Sequence, residues 1–386
     1  MRIGFVHFMG GMGENIRNAA IRDFLRAAGF EVIDILLETG WAKGSLWTHV
    51  TMNNLRSLLQ IVLQKRTASL LAEITWNEQL RRFQRFIPRW HRQILGLDEQ
   101  VDVFHAETHL AAYLCALVKR KTKKPFVFDM HGVRADEARM WGDSLPGIHF
   151  WEKVEREAVK EADRILVVSR ATIGLMMQRY NVPRERFMVV PNGTELYPDQ
   201  AQYGTPLRVI YGGNFAYYER VQDFVKVAEL LQGQGYEFIL MGDGWLRNQV
   251  LDYINSRHVD IIYLGRKSRA ESLRRFCQMQ IGVAPSTKDV TRQVASPMKV
   301  LDYAACGLPV VTVNVGEWSD MIKRYDSGIV TENSDPSEFA EAIVALRDPK
   351  VWAIKSANAR EMVRQECLWD KVLEPLDRWY GSFRRE

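Results

Sequence analysis

The sequence predicts an α/β protein made of two Rossmann-like domains, and three observations carry that prediction. Short apolar runs alternate with amphipathic stretches along the chain, as a parallel sheet flanked by helices requires. The alternation breaks after Pro191 in a polar, turn-rich stretch from Asn192 to Pro206, and then resumes. The length, 386 residues, is that of two or three domains, each able to bury a full core.

In the first half the apolar runs predict strands over Ile3 to Phe8, Glu31 to Leu36, Val101 to His105, Phe126 to Asp129, Arg164 to Val168 and Phe187 to Val190. Between them, Asn15 to Ala28 carries Ile16, Ala20, Ile21, Phe24 and Leu25 at helical spacing, and Thr108 to Lys119 is similarly amphipathic. The second half predicts strands over Leu207 to Tyr211, Tyr236 to Met241, Asp260 to Leu264, Ile281 to Ala284 and Leu308 to Val313. Its first helix, Val221 to Gln232, places Phe224, Val225, Ala228 and Leu231 on one face and stops at Gly233. The expected domains are residues 1–195 and 206–368. Ligands of such sheets bind outside the carboxyl ends of the strands, so the expected site is a cleft between the two domains.

Composition removes several function classes. With 47% hydrophobic and 26% charged residues, collagen-like and disordered classes drop out. The start of the chain reads as a strand and a glycine-rich loop, not as a cleavable signal. The greasiest stretch, Leu55 to Leu71, is interrupted by Arg56, Lys65 and Arg66, so no transmembrane span is expected. The four cysteines, Cys115, Cys277, Cys306 and Cys367, have no paired spacing and read as buried thiols of a reducing cytoplasm. Net charge is +5, but residues 40–95 hold nine basic side chains against two acidic ones, leaving the rest mildly acidic.

Two motifs carry chemistry. Gly10-Gly11-Met12-Gly13 follows the first strand and opens a helix, where free backbone N–H groups favour an anion such as phosphate. It matches neither a dinucleotide fingerprint nor a P-loop. The second is Ala295-Ser296-Pro297-Met298-Lys299-Val300-Leu301-Asp302, running on to Gly307-Leu308-Pro309. Ser296 can cap a helix that starts at Pro297 and ends at Gly307. Lys299 in the first turn opposes the helix dipole, a conflict that a bound diphosphate resolves. Pairing of Lys299 with Asp302 or Tyr303 one turn on would resolve it equally well.

With these blocks in place the chain resembles the GT-B glycosyltransferases, in particular the retaining enzymes of family 4. Other blocks in the same order extend the resemblance: Asp129-Met130-His131-Gly132, Ala162 to Ser169, Val190-Pro191-Asn192-Gly193, Met241-Gly242-Asp243-Gly244, Tyr263-Leu264-Gly265 and Ala284-Pro285-Ser286. The resemblance implies a nucleotide-diphospho-sugar donor, UDP- or GDP-linked, held mainly by the second domain, and an acceptor held mainly by the first. It implies no separate cofactor and no metal, and a final helix near 369–386 that returns to the first domain. By the same resemblance the donor contacts are Gly11, Gly13, Asn214, Phe215, Arg220, Gly242, Gly265 and Arg266, with Arg292, Ser296, Pro297, Met298, Lys299 and Asp302.

Two departures stand out. The family carries a pair of glutamates here, of which the second falls at Asp302 and the first at Val294, which cannot contact a sugar as a carboxylate does. Many relatives also hold the diphosphate with an arginine and a lysine where Asn214 and Glu219 stand. Arg220, Arg292 and Lys299 remain as local cations, and Lys299 with one arginine is expected to neutralise the diphosphate.

His131 follows a strand beside Gly132, and similar enzymes place a histidine near the donor sugar or acceptor. His105 and Glu107 end the preceding strand; Glu107 is a candidate to orient the acceptor hydroxyl or take its proton. His131 and Glu107 are therefore the expected catalytic pair. As the diphosphate departs, negative charge grows on it, and Lys299 with the helix N–H groups is placed to stabilise that charge. No Asp-x-Asp triplet occurs, so a metal-bridged donor is not expected.

The stretch Leu80 to Arg92 interleaves cations and aromatics. Arg81, Arg82, Phe83, Arg85, Phe86, Arg89 and Trp90 are its candidate contacts with an anionic membrane surface presenting a lipid-linked acceptor. No nucleic-acid recognition motif accompanies it. The reading is a cytoplasmic, peripherally membrane-associated glycosyltransferase of cell-surface glycan synthesis. Val294, Asn214 and Glu219 motivate a rival from another class, a binding or scaffold subunit without turnover, and a nucleotide-sugar epimerase is a third reading.

Overall fold

The computed structural model describes residues 1–8, 12–37 and 84–382. They belong to two compact units, one of Met1–Val190 together with the segment from Leu373, the other of Pro191–Val372. The first contains strands β1 Arg2–Phe8, β2 Glu31–Leu37, β3 Val103–Glu107, β4 Phe126–Met130, β5 Arg164–Val167 and β6 Phe187–Val189. They form one sheet in the order β2-β1-β3-β4-β5-β6, and every pairing is parallel. Every residue of β3 and β4 is buried, His105, Glu107 and Asp129 included, so neither strand shows the alternation of a half-exposed one. Phe5, Phe104, Phe126 and Phe128 are completely buried, each stabilising by roughly 1.5–3 kcal/mol relative to exposure.

Helix Met12–Ala27 follows β1 and helix Thr108–Thr122 follows β3. The latter turns its apolar face, including Leu110, Leu114 and Val118, inward. Helix Leu145–Glu161 starts on Ser144, whose hydroxyl accepts from the Gly147 N–H, with Pro146 in the first turn. The helix Trp369–Ser382 contributes its later part to this unit, burying Leu373, Leu376 and Tyr380, a stripe at helical spacing.

The second unit contains β7 Leu207–Asn214, β8 Tyr236–Asp243, β9 Ile261–Gly265, β10 Ile281–Ala284, β11 Val310–Val313 and β12 Gly328–Thr331. Its sheet order is β12-β11-β10-β7-β8-β9, again parallel throughout. β12 is the strand that the apolar pattern does not announce; it is four residues long and half of it is only partly buried.

The segment 191–206, expected as a boundary, packs onto this second unit. The Thr194 N–H donates to the Cys367 carbonyl at 2.7 Å, and Ala201 N–H to the Cys306 carbonyl at 2.8 Å. Residues 369–372, expected in the first domain, also fall in the second unit. Among the described residues no helix is long and apolar enough to cross a membrane.

Candidate functional site

Each sheet has one place where consecutive strands depart in opposite directions, and such switch points leave a crevice at the carboxyl ends of the strands. In the first sheet it lies between β1 and β3, and in the second between β7 and β10. The titratable residues singled out in the sequence gather at these two places.

In the first unit the centre is Asp129, near the end of β4 and fully buried. Arg17, 1% exposed on the helix after β1, grips it with two bonds, Nε to Oδ2 at 3.0 Å and Nη2 to Oδ1 at 2.8 Å. Burial opposes ionisation, yet Arg17 and His131 hold the Asp129 carboxyl well below its ordinary value. His131, two residues on, therefore emerges on the same side of the strand. Its Nε2 lies 3.1 Å from Asp129 Oδ2 and 3.7 Å from Glu107 Oε1. Nε2 is buried while the side chain keeps 18% exposure, so the ring shows its other edge. The histidine thus has its buried nitrogen beside two carboxylates and its other ring edge turned outward.

Behind it, His105 is completely buried, stacked on Phe5 at 4.5 Å, with Nδ1 2.7 Å from the Tyr380 hydroxyl. Burial lowers its pKa, so it is a neutral imidazole bracing the network. Glu107, 2% exposed at the end of β3, completes the group. Gly13 lies in the first turn of the helix Met12–Ala27, and Gly11 lies outside the described residues.

In the second unit the centre is a charge cluster on the buried Glu219, just past β7. The Lys299 ammonium donates to Glu219 Oε2, and Arg292 Nη2 is 3.8 Å from Oε1. Lys299 also lies over the Tyr211 ring at 4.5 Å, with its hydroxyl at 3.4 Å. An added Cβ on Gly213 would sit 2.8 Å from Lys299 Nζ, so this glycine gives the ammonium its lane along the strand end. Arg292 is fixed by a bond to the Ser286 hydroxyl at 3.0 Å and by the Tyr218 ring at 5.3 Å.

Burial lowers the Lys299 pKa against the pull of Glu219, and the two cations hold the Glu219 carboxyl below its ordinary value in spite of burial. Two positive charges thus share one negative charge. The remaining positive charge sits at the start of the helix Met298–Ala305, whose first N–H groups have no side-chain cap. A phosphate-bearing ligand suits both features.

Asp302, on the same helix, accepts from Thr194 Oγ1 and Arg269 Nη2, both at 3.0 Å. Burial pushes its carboxyl above the ordinary value, with Arg269 opposing. Lys299 pairs with neither Asp302 nor Tyr303: Asp302 is held by Arg269, and the Tyr303 hydroxyl accepts from the Gly212 N–H at 2.6 Å. Gly242, at the end of β8, has φ +138°, and a Cβ there would fall on the Gly213 carbonyl oxygen. No other residue fits so close to the glycine strand.

Several expectations need correction. Ser296 does not cap the helix: Pro297 holds the N-cap position, and the Ser296 hydroxyl instead accepts from the Asn192 N–H at 3.1 Å. Phe215 is completely buried beside Tyr211 and Tyr263 and offers no side-chain surface to a donor. Arg220 pairs with Asp223 one turn along, so Arg292, not Arg220, joins Lys299. Arg266 and Asn214 are exposed at strand ends, Pro297 and Met298 are half-buried beside Lys299, and Gly265 closes β9 with φ +67°. Val294 is buried, 2% exposed, where the family's carboxylate is expected.

Trp90 is not a surface anchor. It is 1% exposed and packs against Phe8 and Phe86 at 5.0 and 5.5 Å, because its helix over residues 84–95 turns it toward the core. Arg85 and Arg89 are exposed and Phe86 is half-buried, while Arg81, Arg82 and Phe83 lie outside the described residues.

The sequence reading passed over Asp129 as a site residue, and Arg17, Tyr211, Thr194 and Arg269 altogether. Arg17 has a legible signal, since it lies at i, i+3, i+4 and i+7 with Ala20, Ile21 and Phe24 on the apolar face of its helix. Thr194 and Arg269 have none, because only the folded second unit brings them to Asp302.

The family described as Glycosyltransferase Family 4 matches residues 19–196, and Glycosyl transferases group 1 matches residues 206–348. The chain is 21% identical over 305 residues to N-acetyl-alpha-D-glucosaminyl L-malate synthase of Bacillus anthracis, covering 75% of this chain and 76% of the relative. It is 20% identical over 288 residues to UDP-Gal:alpha-D-GlcNAc-diphosphoundecaprenol alpha-1,3-galactosyltransferase of Escherichia coli, covering 69% and 71%.

Among solved structures, sucrose-phosphate synthase of Thermosynechococcus elongatus superposes with a TM-score of 0.73 at 14% identity, over 100% of this chain and 99% of that one. HepE of Anabaena in complex with UDP-glucose gives 0.71 at 14% identity, over 99% and 100%. The two matched families span most of the chain, the paired parallel six-stranded sheets are those of the GT-B fold, and the chain belongs to the family 4, group 1 glycosyltransferases.

Proposed function

We infer that the chain transfers a sugar, with retention of anomeric configuration, from a UDP- or GDP-linked donor to a glycan or lipid-linked acceptor in cell-surface glycan synthesis. The observation that carries this reading is the convergence of Lys299 and Arg292 at the switch point of the second sheet, with one positive charge in excess. HepE is similar in fold and was solved with UDP and with UDP-glucose. The similar Escherichia coli enzyme acts on a lipid-linked diphosphate sugar.

In this reading the two cations and the uncapped helix start meet the diphosphate, and they act most strongly as charge grows on it during departure. Asp302 holds a ribose hydroxyl through its remaining acceptor capacity. His131, oriented by Asp129, and Glu107 face the sugar and acceptor. The protein's own cations neutralise the leaving group without a metal. Exposed Arg85 and Arg89 bring the first unit to the inner face of an anionic membrane, where a lipid-linked acceptor resides.

The test is calorimetric titration of UDP, GDP and ADP into the protein and into Lys299→Ala. One nucleotide should bind, with binding lost or much weakened in the variant, and that nucleotide selects the donors for transfer assays. If none of the three binds the unmutated protein, the donor site is not the one described. The buried Val294 favours one rival, a binding subunit without turnover; nucleotide binding with no transfer from any donor supports it.

A further inference from the structure

We propose that Glu219 is a positioning residue for the donor site, an internal counter-ion that keeps the Lys299 ammonium charged and aimed while Lys299 and Arg292 bind a nucleoside diphosphate. The proposal rests on the reading that this switch point takes the donor.

A carboxylate is an unexpected neighbour for a diphosphate, since it removes one of two positive charges. Its position explains it. Lys299 keeps only 11% of its side chain exposed, and its ammonium is flanked by groups from several elements. Tyr211 of β7 faces it with ring and hydroxyl. Glu219 comes from the turn after β7, and Arg292, itself over the Tyr218 ring, from the short helix Val290–Gln293. On its own helix, Tyr303 is turned to Gly212 and Asp302 to Arg269.

Without Glu219 the remaining charged neighbour facing Lys299 would be Arg292, a like charge. A buried amine in that setting sheds its proton and is free to swing off the Gly213 lane. With Glu219 in place the ammonium stays protonated, and its stem stays pressed along Gly213, whose missing side chain makes the room. Arg292 cannot leave either, because the Ser286 hydroxyl and the Tyr218 ring hold its other side. The cluster is thus assembled before ligand arrives, and binding need not order a long lysine.

The measurement is nucleotide affinity between pH 6 and pH 9 by calorimetry, for the unmutated protein, Glu219→Gln and Glu219→Asp, using whichever of UDP, GDP and ADP the unmutated protein binds. Glu219→Gln should bind about tenfold more weakly at neutral pH, and the deficit should widen as pH rises, because removing Glu219 takes away what opposes deprotonation of Lys299. Glu219→Asp keeps the charge but shortens its reach, so it should bind a few-fold more weakly with the pH profile of the unmutated protein. It also serves should Glu219→Gln fail to fold.

Tighter binding in Glu219→Gln would overturn the proposal and make Glu219 a competitor that the diphosphate displaces. A parallel, pH-independent loss in Glu219→Gln would reduce it to a packing role, and a shifted pH profile in Glu219→Asp would contradict the separation of charge from aim. Failure of all three nucleotides to bind the unmutated protein would remove the donor reading itself, a different result from binding that ignores Glu219.

Discussion

Both switch points set buried carboxylates against basic side chains, Asp129 and Glu107 in the first and Glu219 in the second, and they differ in how the central ion pair is balanced. In the first unit Arg17 cancels Asp129, His105 is neutral and braced by Tyr380, and the arginine and carboxylate are shut away from water. In the second, Glu219 faces two cations and one positive charge is left over. A balanced buried pair holds its neighbours still, whereas an unbalanced one seeks an anion. In the proposed reading the first cluster is therefore a support for His131 at its rim, and the second is itself a binding surface.

The largest expected effect tests the first half of that contrast. Asp129→Asn strands the Arg17 guanidinium in the core and should cost about 3–5 kcal/mol in urea unfolding; a loss under about 1 kcal/mol would mean that the pair supports nothing. Asp129 titrates below its ordinary value when folded, so its stabilisation is complete above about pH 4 and is lost as pH falls through the lower folded value. His105, also lowered, adds stability that is complete above about pH 6.5 and fades below it. The variant should lack the lower of these two losses.

Next in size, His131→Ala should lower transfer by about a hundredfold while leaving nucleotide affinity unchanged. Equal losses in both would undo the division of labour. Lys299→Ala should weaken nucleotide binding by about ten- to hundredfold, as expected for a charge-assisted bond, and leave the urea midpoint almost unmoved. A large stability loss instead would place Lys299 with the balanced type.

The smallest effect concerns the basic helix of the first unit. Arg85→Ala and Arg89→Ala should each cost about 1 kcal/mol of binding to phosphatidylserine vesicles, measured by flotation. Trp90→Phe should leave vesicle binding intact, because its ring is in the core.

Among the described residues, eleven of the twelve strands are visible in the sequence as short runs rich in apolar residues. β12 escapes because its four residues begin with a glycine and are partly exposed. The helix over residues 84–95 teaches a different lesson. Composition suggested an aromatic surface, but Phe86, Trp90 and Ile94 recur every fourth residue, and that period points one stripe inward.

Within the candidate sites, Lys299 could be singled out because a cation in a first helical turn is an electrostatic conflict visible in one segment. Glu219 could be seen only as a departure from the family pattern. Its partnership with Lys299 joins residues 80 positions apart, and a single sequence holds no trace of that distance. Ser296 misled because a hydroxyl before a proline is a good cap by local rules, and a long-range bond to Asn192 claims it first.

The bond from Tyr380 to His105 also orders events during synthesis. The second unit is one continuous run, Pro191–Val372, and all its strands have left the ribosome before Tyr380 is made. The first unit, although begun earlier, must wait for residues from Leu373 onward before its buried histidine gains this partner. The unit whose strands are made first is therefore the one that closes last, and a chain cut short near residue 372 would lack the hydroxyl that meets His105 Nδ1.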